Sequence, residues 1–291
     1  MRGGAHEWDA RWRAAIADNA RAAAPVSAEH RVERDGVGLH VEERGHGEPG
    51  VLLVHGIACD SRYMEPVAVH LAARHRTVAV DLRGHGRSDA PDGPYDVAAH
   101  VDDLVAVCAA LSIERPVVVG HSLGGVLTVV LAAIRPALPR AAAVLDAPIV
   151  PPPARAADMR AHFARLRDGD YGPEMRRYFS AFFAPGDGRA LEDWVMAAIL
   201  EPPPHAVIAT WEHASFDHDT AVCLEALDVP LLYIDAGTPN AMLDRLVELC
   251  PHAFVGRTVG AGHFLQMVVP DQVNAMLDRF LALTANAAPP G

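Results

Sequence analysis

The sequence predicts an α/β fold: one mostly parallel sheet of eight strands, flanked by helices on both faces and interrupted by an inserted helical cap. Three observations carry this. Short β-branched runs alternate with helical stretches along most of the chain, an antiparallel hairpin precedes the alternation, and one long central stretch has no buried-strand pattern at all. The hairpin is HRVERDGVGLHVEERG, residues 30–45, with its turn at Asp35 and Gly36. Six further strands are expected at Val51 to His55, Thr77 to Asp81, Pro116 to Gly120, Ala141 to Asp146, Pro230 to Asp235 and Phe254 to Val259. Helical patterns between them include Val97 to Leu111 and Val126 to Ile134.

Domain organisation follows from where that alternation fails. From about Pro148 to Phe216 the chain consists of helix formers punctuated by the proline runs Pro151 to Pro153 and Pro202 to Pro204. Residues 148–216 are therefore expected to form the cap, with 30–147 and 217–291 as the sheet core and 1–29 as an N-terminal arm. In the arm Trp8, Trp12, Ile16 and Ala20 recur at i, i+4 steps, the spacing of one helix face. Packing of the arm on its own domain is the simpler expectation, and docking on a second copy to make a homodimer is the alternative.

Bulk properties exclude several function classes. A chain of 291 residues with 51% hydrophobic content can bury one sizeable core. The net charge is −12 without a basic run, which argues against a nucleic-acid partner and against an anionic membrane surface. The first residues lack an apolar leader core, and no apolar run has membrane-spanning length. Cys59, Cys108, Cys223 and Cys250 are widely spaced and show no metal-type pairing. Reduced thiols in a cytoplasmic protein are the expectation.

The strongest local signal is PVVVGHSLGG, residues 116–125. A nucleophilic serine needs a sharp, strained turn between a strand and a helix, and small residues two positions to either side keep that turn free of clashes. Gly120 and Gly124 flank Ser122 in this way, a valine run precedes the turn and a helix-compatible run follows it. The residue after the serine opens a helix, so the N–H of Leu123 is free to meet a developing oxyanion. A second donor is expected from Ile57, after His55 and Gly56 in VLLVHGIACD.

With sixteen histidines in the chain, position must select the general base. His263 follows the last β-type run, lies beside Gly262 with Gly260 close by, and precedes the closing helix PDQVNAMLDRFLAL. A loop there lets one ring nitrogen reach the serine while an acid holds the other. His55, His85 and His121 are expected to pack or to bond loops.

VHGIA, DLRGHGRS, GHSLGG and VGAGHF occur in that order, and on these four motifs the chain resembles the α/β-hydrolases from about His30 onward. The resemblance implies an α/β-hydrolase fold, a Ser122 nucleophile, a His263 base, and a structural role for the second motif. The acid departs from the commoner pattern. Most relatives carry it after the strand that is PLLYID here, where this chain has AGTPN, and neither Thr238 nor Pro239 can ionise. Asp146, in AAAVLDAPIV at the end of the strand after the nucleophile helix, is the favoured replacement, with Asp235 second and Asp244 third. Some relatives, the zearalenone lactonases among them, take their acid from this strand end, and LDAP and AGTP are similar to their pattern.

A serine nucleophile excludes haloalkane dehalogenase and epoxide hydrolase chemistry, which needs a carboxylate to form an alkyl-enzyme ester. Acyl transfer on an ester or lactone, without metal or cofactor, is the expected reaction. Carbon–carbon bond hydrolysis, perhydrolysis and a non-catalytic binding protein are the alternatives. The cap is aromatic, and its side chains are mainly expected to pack it on the core. Trp211, Pro148 and Ile149 are the expected substrate contacts, around a mostly apolar, uncharged small molecule, a zearalenone-type lactone being one such.

Overall fold

The computed structural model describes residues 25–214, 219–238 and 240–285. The helical arm expected at 7–23 lies outside the described residues. Strands β1 (Ala28–Arg34) and β2 (Val37–Arg44) form the hairpin. Its turn residues Asp35 and Gly36 both have positive φ, 51° and 80°, the geometry whose twist matches two right-twisted strands.

The remaining strands are β3 (Val51–Val54), β4 (Thr77–Val80), β5 (Val117–His121), β6 (Ala141–Leu145), β7 (Leu231–Asp235) and β8 (Phe254–Arg257). They make one sheet in the order β1-β2-β4-β3-β5-β6-β7-β8. Only the pairings of β2 with β1 and β4 are antiparallel. The crossover helices α1 (Glu65–Leu71), α2 (Val97–Ala110) and α3 (Leu123–Ile134) come from the first half of the chain, and the short α10 (Leu265–Val268) and α11 (Pro270–Thr284) close it.

Strand periodicity divides the core in two. Leu52, Val54, Val78 and Val118 face α2 and α3 through Leu104 and Leu127, while Val51, Leu53, Ala79 and Val117 face α1 and α11 through Leu71 and Leu277. Covering both faces buries every residue of β3 to β7, so these strands read as mainly apolar runs rather than as alternating ones. The edge strand β8 leaves Phe254 and Val255 exposed.

Between β6 and β7 stand α4 (Pro153–Asp168), α5 (Tyr171–Ser180), α6 (Arg189–Ala198), α7 (Pro204–Ala214) and the short α8 (Thr220–Glu225). Helices α4 and α5 are joined at a buried polar knot: His162 bonds Glu174 at 2.8 Å and stacks on Tyr178, with ring centroids 3.7 Å apart. Hydrogen bonds from Arg177, and then from His162 and Arg165, outweigh burial and hold the Glu174 carboxyl well below its ordinary range.

The DLRGHGRS loop after β4 is built from fixed hydrogen bonds. Asp81 accepts from the backbone N–H groups of Ser61 and Arg87, and Arg83 is buried in a bidentate pair with Asp103 at 2.6 and 2.7 Å. His55 Nε2 accepts from the N–H of Leu82, and the His85 ring bonds the carbonyl of Arg83.

His55, His85, His100 and His121 are all buried. Burial pushes His85 down to about 4 and His121 to about 3, and lowers His55 and His100 as well. These rings stay neutral in the fold but charge in the unfolded chain, so their contribution to stability is complete above pH ~6.5 and is lost as pH falls towards the folded values. Each ring costs up to about 1.4 kcal/mol per pH unit in that window. The urea midpoint is therefore expected to drop steadily from pH 7 to pH 5. A midpoint flat across that range would show the rings to be charged in the native state.

Candidate active site

The loops that leave the carboxyl ends of β3, β5, β6, β7 and β8 converge on one side of the sheet, where open α/β sheets form binding crevices. Ser122 sits between the end of β5 and the start of α3 with φ 52° and ψ −119°, a strained conformation for a residue with a side chain. Its N–H is held by the carbonyl of Leu145 at 3.0 Å. The turn closes because helix and strands meet without intervening side chains. A Cβ at Gly124 would lie 2.2 Å from the Val54 carbonyl oxygen, and one at Gly120 would lie 2.1 Å from that of Gly124.

Leu123 is the first residue of α3, so its N–H has no acceptor within the helix. Ile57 follows Gly56 in the loop after β3, where a Cβ on Gly56 would approach the Ser122 Cβ to 3.0 Å. Ile57, Leu123, Ser122 and His263 all line the same cavity.

His263 Nδ1 bonds Asp146 Oδ2 at 2.7 Å, with both residues buried. Asp146 leaves the end of β6 with φ 43°, a second strained non-glycine residue in the site. Its carboxylate accepts from Thr238 Oγ1 at 2.9 and 2.7 Å, from Asn240 Nδ2 at 2.8 Å and from the N–H of Ala236 at 3.2 Å. Burial alone would raise this carboxyl, but hydrogen bonds and charge from His263, then Thr238 and Ala236, hold it below its ordinary range. The β7 loop that lacks an acid thus supplies donors to an acid on its neighbour.

The other two candidate acids are placed differently. Asp235 is paired with Arg257 at 2.5 Å, and Asp244 is exposed in the first turn of α9 (Leu243–Leu249).

His263 is fixed on three further sides. Its N–H donates to the Phe182 carbonyl at 2.9 Å, its carbonyl accepts from His121 Nε2 at 2.9 Å, and its ring lies 4.5 Å from that of Phe182. One residue earlier the N–H of Gly262 donates to Asp187 at 2.9 Å, which ties the histidine loop to the segment between α5 and α6.

Pro148, Arg155, Met159, Tyr178, Phe179, Phe182 and Trp211 wall the cavity on the side of the inserted helices. Two of the three expected contacts, Trp211 and Pro148, therefore lie at the cavity. The third does not: Ile149 is wholly buried in the hydrophobic core. The cause is a tight turn in which its N–H bonds the carbonyl of Ala147 at 2.8 Å, so that Pro148 is left at the cavity while Ile149 packs inward.

Asn240, Arg155, Phe182 and Asp187 belong to the site but are not singled out by the sequence reading. Asn240 is held from both ends, its amide N–H on Asp146 and its oxygen accepting from Arg155 Nε at 3.0 Å. Its signal was the AGTPN loop itself, where a polar residue follows the vacant acid position. Arg155 lies in an arginine-rich helical turn that gives no signal of its own.

Comparison with known proteins agrees with this architecture. A family model described as "alpha/beta hydrolase fold" matches residues 49–270. A 2-(acetamidomethylene)succinate hydrolase of Mesorhizobium japonicum is 38% identical over 128 residues, 43% of this chain and 46% of the relative, so the match spans less than half the relative's length. Epoxide hydrolase A of Mycobacterium tuberculosis is 28% identical across 87% of this chain and 97% of its own. Among solved structures, an E-2-(acetamidomethylene)succinate hydrolase superposes with a TM-score of 0.72 at 25% identity, covering 88% of this chain and 99% of that one. The enol-lactonase of Burkholderia xenovorans gives a TM-score of 0.78 at 19% identity over 87% and 100%. With the family model covering more than half of it, the chain belongs to the alpha/beta hydrolase fold family.

Proposed function

We propose that this chain is a serine hydrolase that cleaves a carboxylic ester or lactone through an acyl-enzyme. The observation that carries the reading is the 2.7 Å bond between buried Asp146 and His263 Nδ1, at a cavity His263 shares with the strained Ser122. With Nδ1–H held by Asp146, the lone pair of Nε2 is left to act as base. His263 takes the Ser122 proton as Oγ bonds the carbonyl carbon, and the N–H groups of Ile57 and Leu123 meet the oxyanion. The carbon–oxygen bond of the ester then breaks, and His263 returns its proton to the leaving alcohol. Water attacks the acyl-serine by the same sequence, releasing the acid and restoring the hydroxyl.

The resemblance to an epoxide hydrolase does not carry that activity here, because opening an epoxide on this fold needs a carboxylate where Ser122 stands. Carbon–carbon bond hydrolysis would use the same groups and is separated by substrate.

The test pairs labelling with turnover. A fluorophosphonate is expected to label Ser122 covalently, and the unlabelled protein is expected to hydrolyse members of a panel of p-nitrophenyl esters, aryl esters and lactones, macrocyclic lactones included. Labelling without turnover of any member would redirect the search to carbon–carbon bond substrates. Absence of both would favour a binding protein on this fold.

A further inference from the structure

We propose that the substrate bears a carboxylate and that Arg155 receives it. This rests on the hydrolase reading above and narrows its substrate class. Arg155 lies in the first turn of α4 and lines the cavity, and its side chain is only 14% exposed. A guanidinium withdrawn from water in a wall of Met159, Tyr178, Phe179 and Phe182 carries a desolvation cost that a purely apolar ligand would not offset.

The local geometry aims the charge at the reacting groups. Arg155 lies over the rings of Tyr178 and Phe182, at 5.3 and 5.4 Å from their centroids, and Phe182 in turn touches the His263 ring. Its Nε donates to Asn240, which also bonds Asp146, so the guanidinium is one side chain away from the acid and base. Nη1 donates to Asp158, whose own side chain is 52% exposed and so lies at the solvent side of the pair. Nη2 brings two further N–H groups, with the Tyr178 hydroxyl beside the guanidinium as a neighbouring acceptor. Trp211 also lines the cavity beside Tyr178, and its indole Nε1 is buried without an acceptor. A ligand carboxylate, with several lone pairs on two oxygens, suits the guanidinium's remaining donors.

The carboxylates that face Arg155 are accounted for. Asp158 shares it, and Asp146 is committed to His263, Thr238 and Asn240. The chain's net charge of −12 would otherwise repel an anion, so a local cation is what admits one.

The experiment compares p-nitrophenyl butyrate with mono-p-nitrophenyl glutarate, a neutral ester and one bearing a carboxylate at the far end of its acyl chain, and measures glutarate binding by calorimetry. Wild-type protein is expected to favour the anionic ester in kcat/KM. Arg155→Met should lower kcat/KM for the anionic ester about 10- to 100-fold more than for the neutral one, mostly through KM, and should abolish glutarate binding. Arg155→Lys should keep the preference, because it keeps the charge while losing the planar contact with Asn240.

If Arg155 only positions Asn240, Arg155→Met and Arg155→Lys would lower kcat alike for both esters. That result, or a wild type with neither anion preference nor glutarate binding, overturns the carboxylate site. Glutarate binding that depends on Arg155, in a protein that turns over neither these esters nor any member of the ester and lactone panel, would instead uphold the site and overturn ester hydrolysis.

Discussion

Asparagine in place of Asp146 is expected to lower kcat about 10⁴-fold while KM changes little, the scale on which Ser-His-Asp sites respond to loss of the acid's charge. The reason is tautomeric. The carboxylate at 2.7 Å from Nδ1 can only accept, so it keeps the proton on Nδ1 and leaves Nε2 basic. An amide can present N–H there instead, which moves the proton to Nε2 and leaves nothing to deprotonate Ser122. The donors gathered on the carboxylate, Thr238, Asn240 and Ala236, would compete for the one remaining oxygen and favour that wrong orientation. Asp235→Asn breaks the pair with Arg257, a residue 61% exposed at its side chain, and should change stability with kcat held within about threefold. Steady-state kinetics of the two variants on one ester decides the matter, and a larger loss in the Asp235 variant would remove Asp146 from its proposed role.

Most of the fold can be read in the residues, because its determinants are local. The apolar runs VLLV of β3 and VVV of β5 exist because both faces of the sheet are covered, and Asp35-Gly36 suits a hairpin turn with positive φ at both residues. Ser122 and His263 are readable for the same reason, each lying within a glycine-bearing turn at a strand end. Asn240, Arg155 and Asp187 are not, since what matters about each is a partner far along the chain: Asn240 meets residues from β6 and from the loop after β8, and Asp187 reaches Gly262. Alternation also explains the one misplaced contact. Proximity to Asp146 in sequence brings both Pro148 and Ile149 near the cavity, but the turn at Ala147 lets only the first reach it.

Those long-range partners change how the site is understood. A commoner arrangement would have the β7 loop carry the acid itself. Here that loop instead solvates an acid placed on β6, with Thr238 and Asn240 doing by hydrogen bonding what water does for an exposed carboxylate. Removing these donors should therefore raise the Asp146 carboxyl, while its bond to His263 continues to oppose burial.

Ser122→Ala and His263→Ala are each expected to lower kcat by about 10⁴- to 10⁶-fold, and the double variant should be no slower than the worse of the two. The two side chains contribute a single event, transfer of the hydroxyl proton as the carbon–oxygen bond forms, so either deletion removes the whole of it. Independent contributions would multiply instead. Turnover that survives in all three variants would come from water attacking a carbonyl held against the N–H groups of Ile57 and Leu123, which the substitutions leave in place. It should lack the dependence on a general base that the acyl-enzyme scheme expects of the intact protein. Measuring the three variants beside the wild type on one ester, across pH, therefore separates the shared step from the oxyanion contribution. A double variant slower by the product of the single losses would mean that Ser122 and His263 act in separate steps, and the acyl-enzyme scheme would fall.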